Sequence, residues 1–362
     1  MIEDSKKTLR ALPVQVIELE GGVLLKRGCT EFTIQGPYSK QAVQTLLSLV
    51  SGEGATHDAI YEFFPSPYRP AIEALIQQLI DKRILVAADA DEPVNEVPED
   101  ALEVFYWHFG YRAEEVARHL NTQHITIMGV NYISRQLIAA LNSAGVRNIK
   151  VVDYPLLRNV RLFNVSANKV SQQWPSAHLP VNYDEWVDGR GGKPTSCLVA
   201  TSDFGGMHLM REWNQYCVDK KLLFLPVILQ NLVGYIGPLV VPDETSCFEC
   251  LRARQNSHLE NPSIERAAES EAFQGQLVNG FHPSMASVLG DIAAIELTKF
   301  YGRVPQWRVG TLIEVNLLQP LLVTHKVLKV PRCSVCSTLN TRSSVTLNDI
   351  AYAPPDFDAS VE

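Results

Sequence analysis

The chain has 362 residues, of which 46% are hydrophobic and 20% charged, with a formal net charge of −8. That is enough for two or three domains of an ordinary globular protein. The acidic balance argues against general nucleic-acid binding, and the N-terminal MIEDSKKTLRALPVQ lacks the apolar core of a signal peptide.

Residues 14–36 hold three strand-like runs, VQVIELE, VLLKRG and EFTIQG, separated by Gly21-Gly22 and Gly28. Helical periodicity follows over 39–50, with Ser39 as N-cap and Val43, Leu46, Leu47 and Val50 on one side. A short helix is expected over 56–64, and a third over 68–82 with Ile72, Leu75, Ile76 and Leu79 on one stripe. ILVAA (84–88) reads as a closing strand. These elements predict a winged-helix-like unit over residues 1–90. DADEPVNEVPED (89–100) is acidic with two prolines and reads as a linker. Residues 91–123 are then linker and helix, the helix covering 101–120 with Phe105, Tyr106, Trp107 and Phe109 clustered.

From Ile125 the pattern changes. ITIMG is a buried strand ending in glycine, 134–144 an amphipathic helix with Leu137, Ile138 and Leu141, and NIKVVD a strand ending at Asp153. That is a βαβ unit. SCLVATSD (196–203) reads as strand and loop, and 207–220 as a helix. The segment 222–241, LLFLPVILQNLVGYIGPLVV, is the most membrane-like. Its two prolines, two glycines, Gln230 and Asn231 make it two buried strands around a turn rather than a spanning helix. Residues 255–280 read as a polar excursion. A helix over 284–301 turns Met285, Val288, Leu289, Ile292 and Ile295 to the core, and WRVGTLIEVN and LLVTHKVLKV are strands within 307–330. An α/β domain over 124–340 is expected, with 341–362 as a loose tail.

Two matched pairs, Cys247-Phe-Glu-Cys250 and Cys333-Ser-Val-Cys336, have the spacing of a closed tetrahedral zinc site. The gap between them is too long for a zinc finger, so the metal would clamp a domain whose chain runs out and returns. The competing reading is two separate redox pairs or disulfides. Four thiolates leave no open coordination position, so such a zinc is structural and not a Lewis acid. Cys29, Cys197 and Cys217 show no pairing pattern, and an odd remainder of thiols fits a reducing, cytoplasmic setting.

A nucleotide-binding βαβ unit needs glycines after its first strand, so that backbone N–H groups can approach phosphates at the helix N-terminus. Here the position reads Gly129-Val130-Asn131-Tyr132-Ile133-Ser134, with a single glycine. Val130, Tyr132 and Ile133 put bulk where phosphate would sit, so no tight ATP or NAD cradle is expected. Asp153 could bond a ribose hydroxyl, or end its strand and cap the next turn.

The order of parts resembles the E1-like superfamily of ubiquitin-activating and ThiF/MoeB-type adenylating enzymes. The matching residues are Val151-Val152-Asp153, Thr201-Ser202-Asp203, Cys247/Cys250, the 284–301 helix and Cys333/Cys336, over about residues 124–337. Asp203 falls at the family's magnesium-associated aspartate, while Asn159-Val160-Arg161 only loosely echoes its asparagine and arginine segment. The resemblance therefore implies a degenerate nucleotide site at Gly129, Asp153 and Asp203, with structural Zn2+ and no ATP chemistry on this chain.

Residues 1–90 resemble the RiPP recognition element, a PqqD-like winged helix. That unit on an E1-like domain, with 245–254 reading TSCFECLRAR, is similar to the "C protein" of azole/azoline (TOMM) cyclodehydratases. The resemblance implies a non-catalytic subunit that binds the leader of a precursor peptide and presents it to a YcaO enzyme in bacteriocin-type biosynthesis. A flavin dehydrogenase is a further expected partner, and a homodimer the expected assembly. By similarity, an edge strand at Glu31, Phe32, Thr33, Ile34 and Gln35 would take the peptide by strand addition. The third helix would be the other wall, through Arg69, Ile72, Glu73 and Ile76. A winged helix also suggests DNA, but residues 1–90 carry nine Lys/Arg against eleven Asp/Glu and no basic helix face. Two alternatives remain: an E1-like enzyme adenylating a peptide C-terminus, and a leader-binding protein for another modification step.

Overall fold

The computed structural model describes residues 8–87, 100–164, 166–189, 195–272, 280–305 and 307–337. The backbone divides into two units, residues 1–116 and 117–362.

The first unit holds β1 (Thr8–Ala11), β2 (Gln15–Leu19), β3 (Gly22–Arg27), β4 (Thr30–Gln35), α1 (Ser39–Leu49), β5 (Ala55–Thr56), α2 (His57–Phe63), α3 (Arg69–Asp81), β6 (Leu85–Ala87) and α4 (Ala101–Phe109). The three runs read from the sequence form an antiparallel meander, β2-β3-β4. A second antiparallel sheet, β5-β1-β6, pairs the start of the unit with its closing strand. β1 is only TLRA, too short for a legible period. The stripes of α1 and α3 bury Val43, Leu46, Ile72, Leu75, Ile76 and Leu79 against Val23, Leu25, Ile84 and Leu85. Trp107 of α4 joins this core, its Nε1 donating to the Arg83 carbonyl at 2.9 Å. The single helix expected over 101–120 is two. Gly110, at φ 90°, ends α4 in the left-handed cap that glycine adopts most readily, and α5 (Ala113–Leu120) starts afresh. The expected 89–100 linker lies, apart from Asp100, outside the described residues.

The second unit continues with β7 (Ile125–Met128), α6 (Tyr132–Ser143), β8 (Ile149–Asp153), β9 (Phe163–Asn164), β10 (Lys169–Val170), β11 (Val181–Asn182), α7 (Tyr183–Val187), β12 (Cys197–Ser202) and α8 (Met207–Asp219). It ends with β13 (Leu223–Gln230), β14 (Val233–Ile236), α9 (Phe248–Ser257), α10 (Pro262–Ala272), α11 (Pro283–Tyr301), β15 (Thr311–Asn316) and β16 (Leu321–Lys326). One eight-stranded sheet runs β11-β8-β7-β12-β13-β14-β15-β16. Its first five strands are parallel and the rest antiparallel. β7 and β12 are buried along their whole length, as parallel strands covered on both faces must be. Side chains alternate between the faces. Leu198 and Ala200 pack with α8, α9 and the metal-type cysteines, while Thr201 points to α6. Gly290 of α11 lies directly against α6, where an added Cβ would come within 2.9 Å of the Ile133 carbonyl oxygen. On α11 itself Met285 and Leu289 are buried as expected, whereas Ile295, read as core, is exposed.

The membrane-like segment 222–241 is β13 and β14, two strands around a turn, as its prolines and glycines predict. Among the described residues no helix is long and apolar enough to cross a membrane. The polar excursion expected over 255–280 needs correction. It contains the last turn of α9 and all of α10, which the amphipathic-helix template misses for lack of an apolar stripe. Residues 273–279 and the tail from 338 on lie outside the described residues.

Candidate functional site

The second unit gathers its chemistry in two places. In the first, the cysteine pairs 86 residues apart converge. Cys247 caps the N-terminus of α9 and Cys250 lies one turn along, while Cys333 and Cys336 sit in the turn after β16. Side chains tie these segments together. Ser246 Oγ donates to the Val327 carbonyl at 2.7 Å, and Arg254 Nε to the Leu328 carbonyl at 3.0 Å. The sulfur separations are 3.9 Å for Cys247–Cys250, 3.6 Å for Cys247–Cys333 and 3.5 Å for Cys250–Cys336. All four sulfurs lie within 4.8 Å of one another. A tetrahedron with metal–sulfur bonds of about 2.3 Å has edges of about 3.8 Å, so the donor set fits one ion.

The hydrogen bond from Cys247 holds the Cys250 thiol down to about 4 against the cost of burial, helped by the Val330 N–H at 3.3 Å. Donating that bond, together with burial, pushes Cys247 up, and burial pushes Cys336 up to about 11. With Cys250 lowered and Cys247 and Cys336 raised, cation entry would release protons from the raised thiols.

The second place is the carboxyl edge of the parallel strands, where α/β folds bind ligands. Gly129 follows β7 at φ 111°, and a Cβ there would meet the Thr201 carbonyl oxygen at 2.9 Å, Asn131 Nδ2 at 3.0 Å and Leu157 Cβ at 3.0 Å. The turn is therefore packed from within. Asn131 caps α6 in a reciprocal box: its Oδ1 accepts from Ser134 N at 3.0 Å, and Ser134 Oγ accepts from Asn131 N at 2.9 Å. Asn131 Nδ2 donates to the Thr201 carbonyl at 2.8 Å. The next free donor, Tyr132 N, is taken at 2.9 Å by Asp203 Oδ2, and Asn159 Nδ2 donates to both oxygens of that carboxylate at 3.0 and 3.1 Å. Burial pushes Asp203 up to about 6, opposed by the Tyr132 and Asn159 hydrogen bonds. Asp153 is held by a bidentate pair with Arg158 at 2.6 and 2.7 Å, and that guanidinium stacks on Phe163.

Gly129 and Asp203 are thus brought together, while Asp153 is engaged elsewhere. Arg158, five residues past Asp153, was legible only as a positive charge near the strand end. A groove was also missed. Arg161 and Lys169 line an open space of about 500 Å³ with Phe163, Asn164 and Ser171, around the β9–β10 hairpin. Its walls come from two-residue strands that leave no periodic signal.

In the first unit, β4 pairs only with β3 among the described residues, so its other side is a sheet edge there. Gly36 N donates to the Gly21 carbonyl at 3.0 Å, which fixes the parity of the ladder. Pairs 23:34 and 25:32 then share hydrogen bonds with β3. The main-chain groups of Glu31, Thr33 and Gln35 face outward. Phe32 and Ile34 are half-buried, and the side chains of Glu31, Thr33 and Gln35 are exposed. Of the residues named on the third helix, Ile72 and Ile76 are buried in the core and present no surface to a ligand. Arg69 turns back on its own helix start, donating to the Phe64 carbonyl at 3.0 Å and stacking on Tyr61. Glu73 is exposed.

No protein-family model matches the chain, and no curated protein matches it in sequence. Solved structures do match in fold. The heterocyclase TruD superposes with a TM-score of 0.58 at 19% identity, over 91% of this chain and 43% of that one. A heterocyclase in complex with substrate and cofactor gives 0.58 at 19%, over 92% and 40%. The chain thus spans about two fifths of the length of those heterocyclases. E. coli MccB, solved with ATP, gives 0.63 at 16% identity, over 91% of this chain and 99% of that one. At such identities the likeness is one of fold.

Proposed function

We propose that this chain is the leader-peptide-binding, substrate-recruiting subunit of an azoline-forming cyclodehydratase, with a winged-helix recognition unit on an E1-like domain that carries a structural Zn2+. The observation that carries the reading is the open edge of β4, where three residues offer outward main-chain donors and acceptors beside half-buried Phe32 and Ile34. An extended leader completes such a ladder. The chemistry then falls to a YcaO partner, because the α6 donors that would face phosphate already serve Asn131 and Asp203. The likeness to heterocyclases supports the pathway. A homodimer and a flavin dehydrogenase partner belong to the same picture.

The test is fluorescence polarisation of a labelled leader against the full chain and its Thr33→Pro variant. Proline removes an outward N–H and leaves the β3 ladder intact. We expect at least tenfold weaker binding, about 1.4 kcal/mol, with an unchanged melting temperature. Equal affinity for both proteins would remove the strand-addition reading.

A second reading, adenylation of a peptide C-terminus, is favoured by one observation: the basic groove of Arg161 and Lys169, in the segment that also supplies Asn159 to Asp203. The likeness to MccB, solved with ATP, points the same way. ATP–pyrophosphate exchange by the isolated chain separates the two. The recruiting subunit gives none, and robust exchange establishes the enzyme.

A further inference from the structure

Of the seven cysteines, six are accounted for by burial or by the metal-type cluster. Cys247, Cys250, Cys333 and Cys336 form that cluster. Cys197 and Cys217 are fully buried in the second unit, and burial pushes both thiols up, Cys197 to about 12. Thiols held in this way stay protonated near neutral pH and meet no reagent. The seventh, Cys29, is exposed in the turn between β3 and β4.

Cys29 is not alone there. Val104 and His108 stand one turn apart on the same side of α4, and both meet that turn. Val104 Cγ1 lies 2.9 Å from where a Cβ on Gly28 would stand, so only glycine lets the hairpin come this close. His108 Nδ1 lies 3.4 Å from Cys29 Sγ, and Nε2 lies 3.8 Å from it. Thr30 Oγ1 is 3.1 Å from the same Nδ1. Trp107 fixes the helix beside the hairpin: its ring carries the Arg27 guanidinium at 4.8 Å, and its Nε1 donates to the Arg83 carbonyl. Arg27 Nη1 in turn donates to the Pro13 carbonyl at 2.7 Å. The thiol and the imidazole therefore sit on two elements packed together, and their approach is built into the first unit.

A thiol beside an imidazole is a nucleophile beside its base. The thiolate is the attacking form, and Thr30 holds the ring by the nitrogen that would receive the proton.

We infer that Cys29, served by His108, is a reversible modification site at which small-molecule disulfides add to the chain. Cys29 passes its proton to His108 Nδ1, and the thiolate attacks one sulfur of the disulfide. The new bond to Cys29 Sγ forms as the old S–S bond breaks. The leaving thiolate takes a proton back and departs as a free thiol. The protein sulfur is oxidised, the small disulfide is reduced, and excess thiol runs the exchange backwards. The site rests on the first unit alone and is independent of peptide capture by β4.

The test uses the full chain and oxidised glutathione, with the adduct located by peptide mass spectrometry. The adduct forms at Cys29 ahead of the other six cysteines, about tenfold faster than at Cys29 of the urea-unfolded chain, and dithiothreitol removes it. His108 is exposed, so His108→Ala leaves the core untouched. In that variant the rate at Cys29 falls about tenfold, and free imidazole restores it, which a merely structural ring would not allow. Exchange at Cys29 no faster than in the unfolded chain, an adduct that appears first at another cysteine, an unchanged rate in His108→Ala, or a lost rate that imidazole does not restore would each overturn the site.

Discussion

Asp203 is buried at the N-terminus of α6, and its surroundings set what it does there. The buried carboxylate accepts from Tyr132 N and Asn159 Nδ2, and so supplies from within the negative group that a helix N-terminus favours. Burial raises it to about 6, above the ordinary carboxylate value near 3.9. A raised folded-state value means that the folded protein binds this proton more tightly than the unfolded chain. Its stabilising contribution is complete below about pH 4 and lost as pH rises through 6. Asp203→Asn cannot titrate. Urea unfolding of variant and wild type should therefore show their stability gap moving in the variant's favour by about 1–1.5 kcal/mol between pH 5 and pH 7.5. A gap that stays flat would mean that the carboxyl ionises as freely folded as unfolded. At the cysteines the expectation is simpler. Cys250→Ser removes the sulfur that receives both the Cys247 thiol and the Val330 N–H. Zinc measured by mass spectrometry should fall well below one per chain, and the loss of stability should exceed about 3 kcal/mol, since zinc contributes roughly 10–16 kcal/mol in finger-sized systems. Full zinc content with an unchanged melting temperature would remove the metal from the picture.

At the scale of elements, α6 and α11 owe their close approach to Gly290. Its missing side chain lets the Ile133 carbonyl, the Leu137 N–H and the Gln136 Cβ come to 2.9–3.0 Å of where a Cβ would stand. Gly290→Ala would gain helix propensity and lose more to overpacking. We expect a net destabilisation of about 1–3 kcal/mol by thermal melting. A rise in stability would show that the helices can part without cost. The same scale explains what could be read in advance. The stripes at 39–50 and 68–82, the alternating strands over 14–36 and the buried runs ITIM and CLVATS carry strong periods, and each formed the element expected. β1, β5, β9 and β10 are two to four residues long and gain their pairing from distant partners, so no local pattern announces them. α10 hid for another reason: the one buried side chain among those described is Glu269, and an acid in a polar stretch looks like solvent-facing surface.

For the whole molecule, the sequence marked the cysteine cluster better than the β4 edge. Two C-x-x-C pairs carry their ligand geometry in their spacing, and the structure brings all four sulfurs together. The inward-facing Ile72 and Ile76 carried no such mark, because a stripe at helical spacing is the same whether it meets a core or a guest. The outward parity of Thr33 could not be read either, since it depends on one hydrogen bond, from Gly36 to Gly21, that sets the ladder's phase. The cysteine cluster also shapes what lies between its halves. α10, α11 and the β15–β16 hairpin all belong to an excursion whose two ends meet at the sulfurs. A cross-link across 86 residues deprives the denatured chain of freedom worth on the order of 4–5 kcal/mol by the loop-closure argument. With an ion bound at the four sulfurs, the excursion would be tethered like a bracelet closed at its clasp: its middle could loosen, yet its ends could not drift apart, and each local opening would start from a chain already most of the way home.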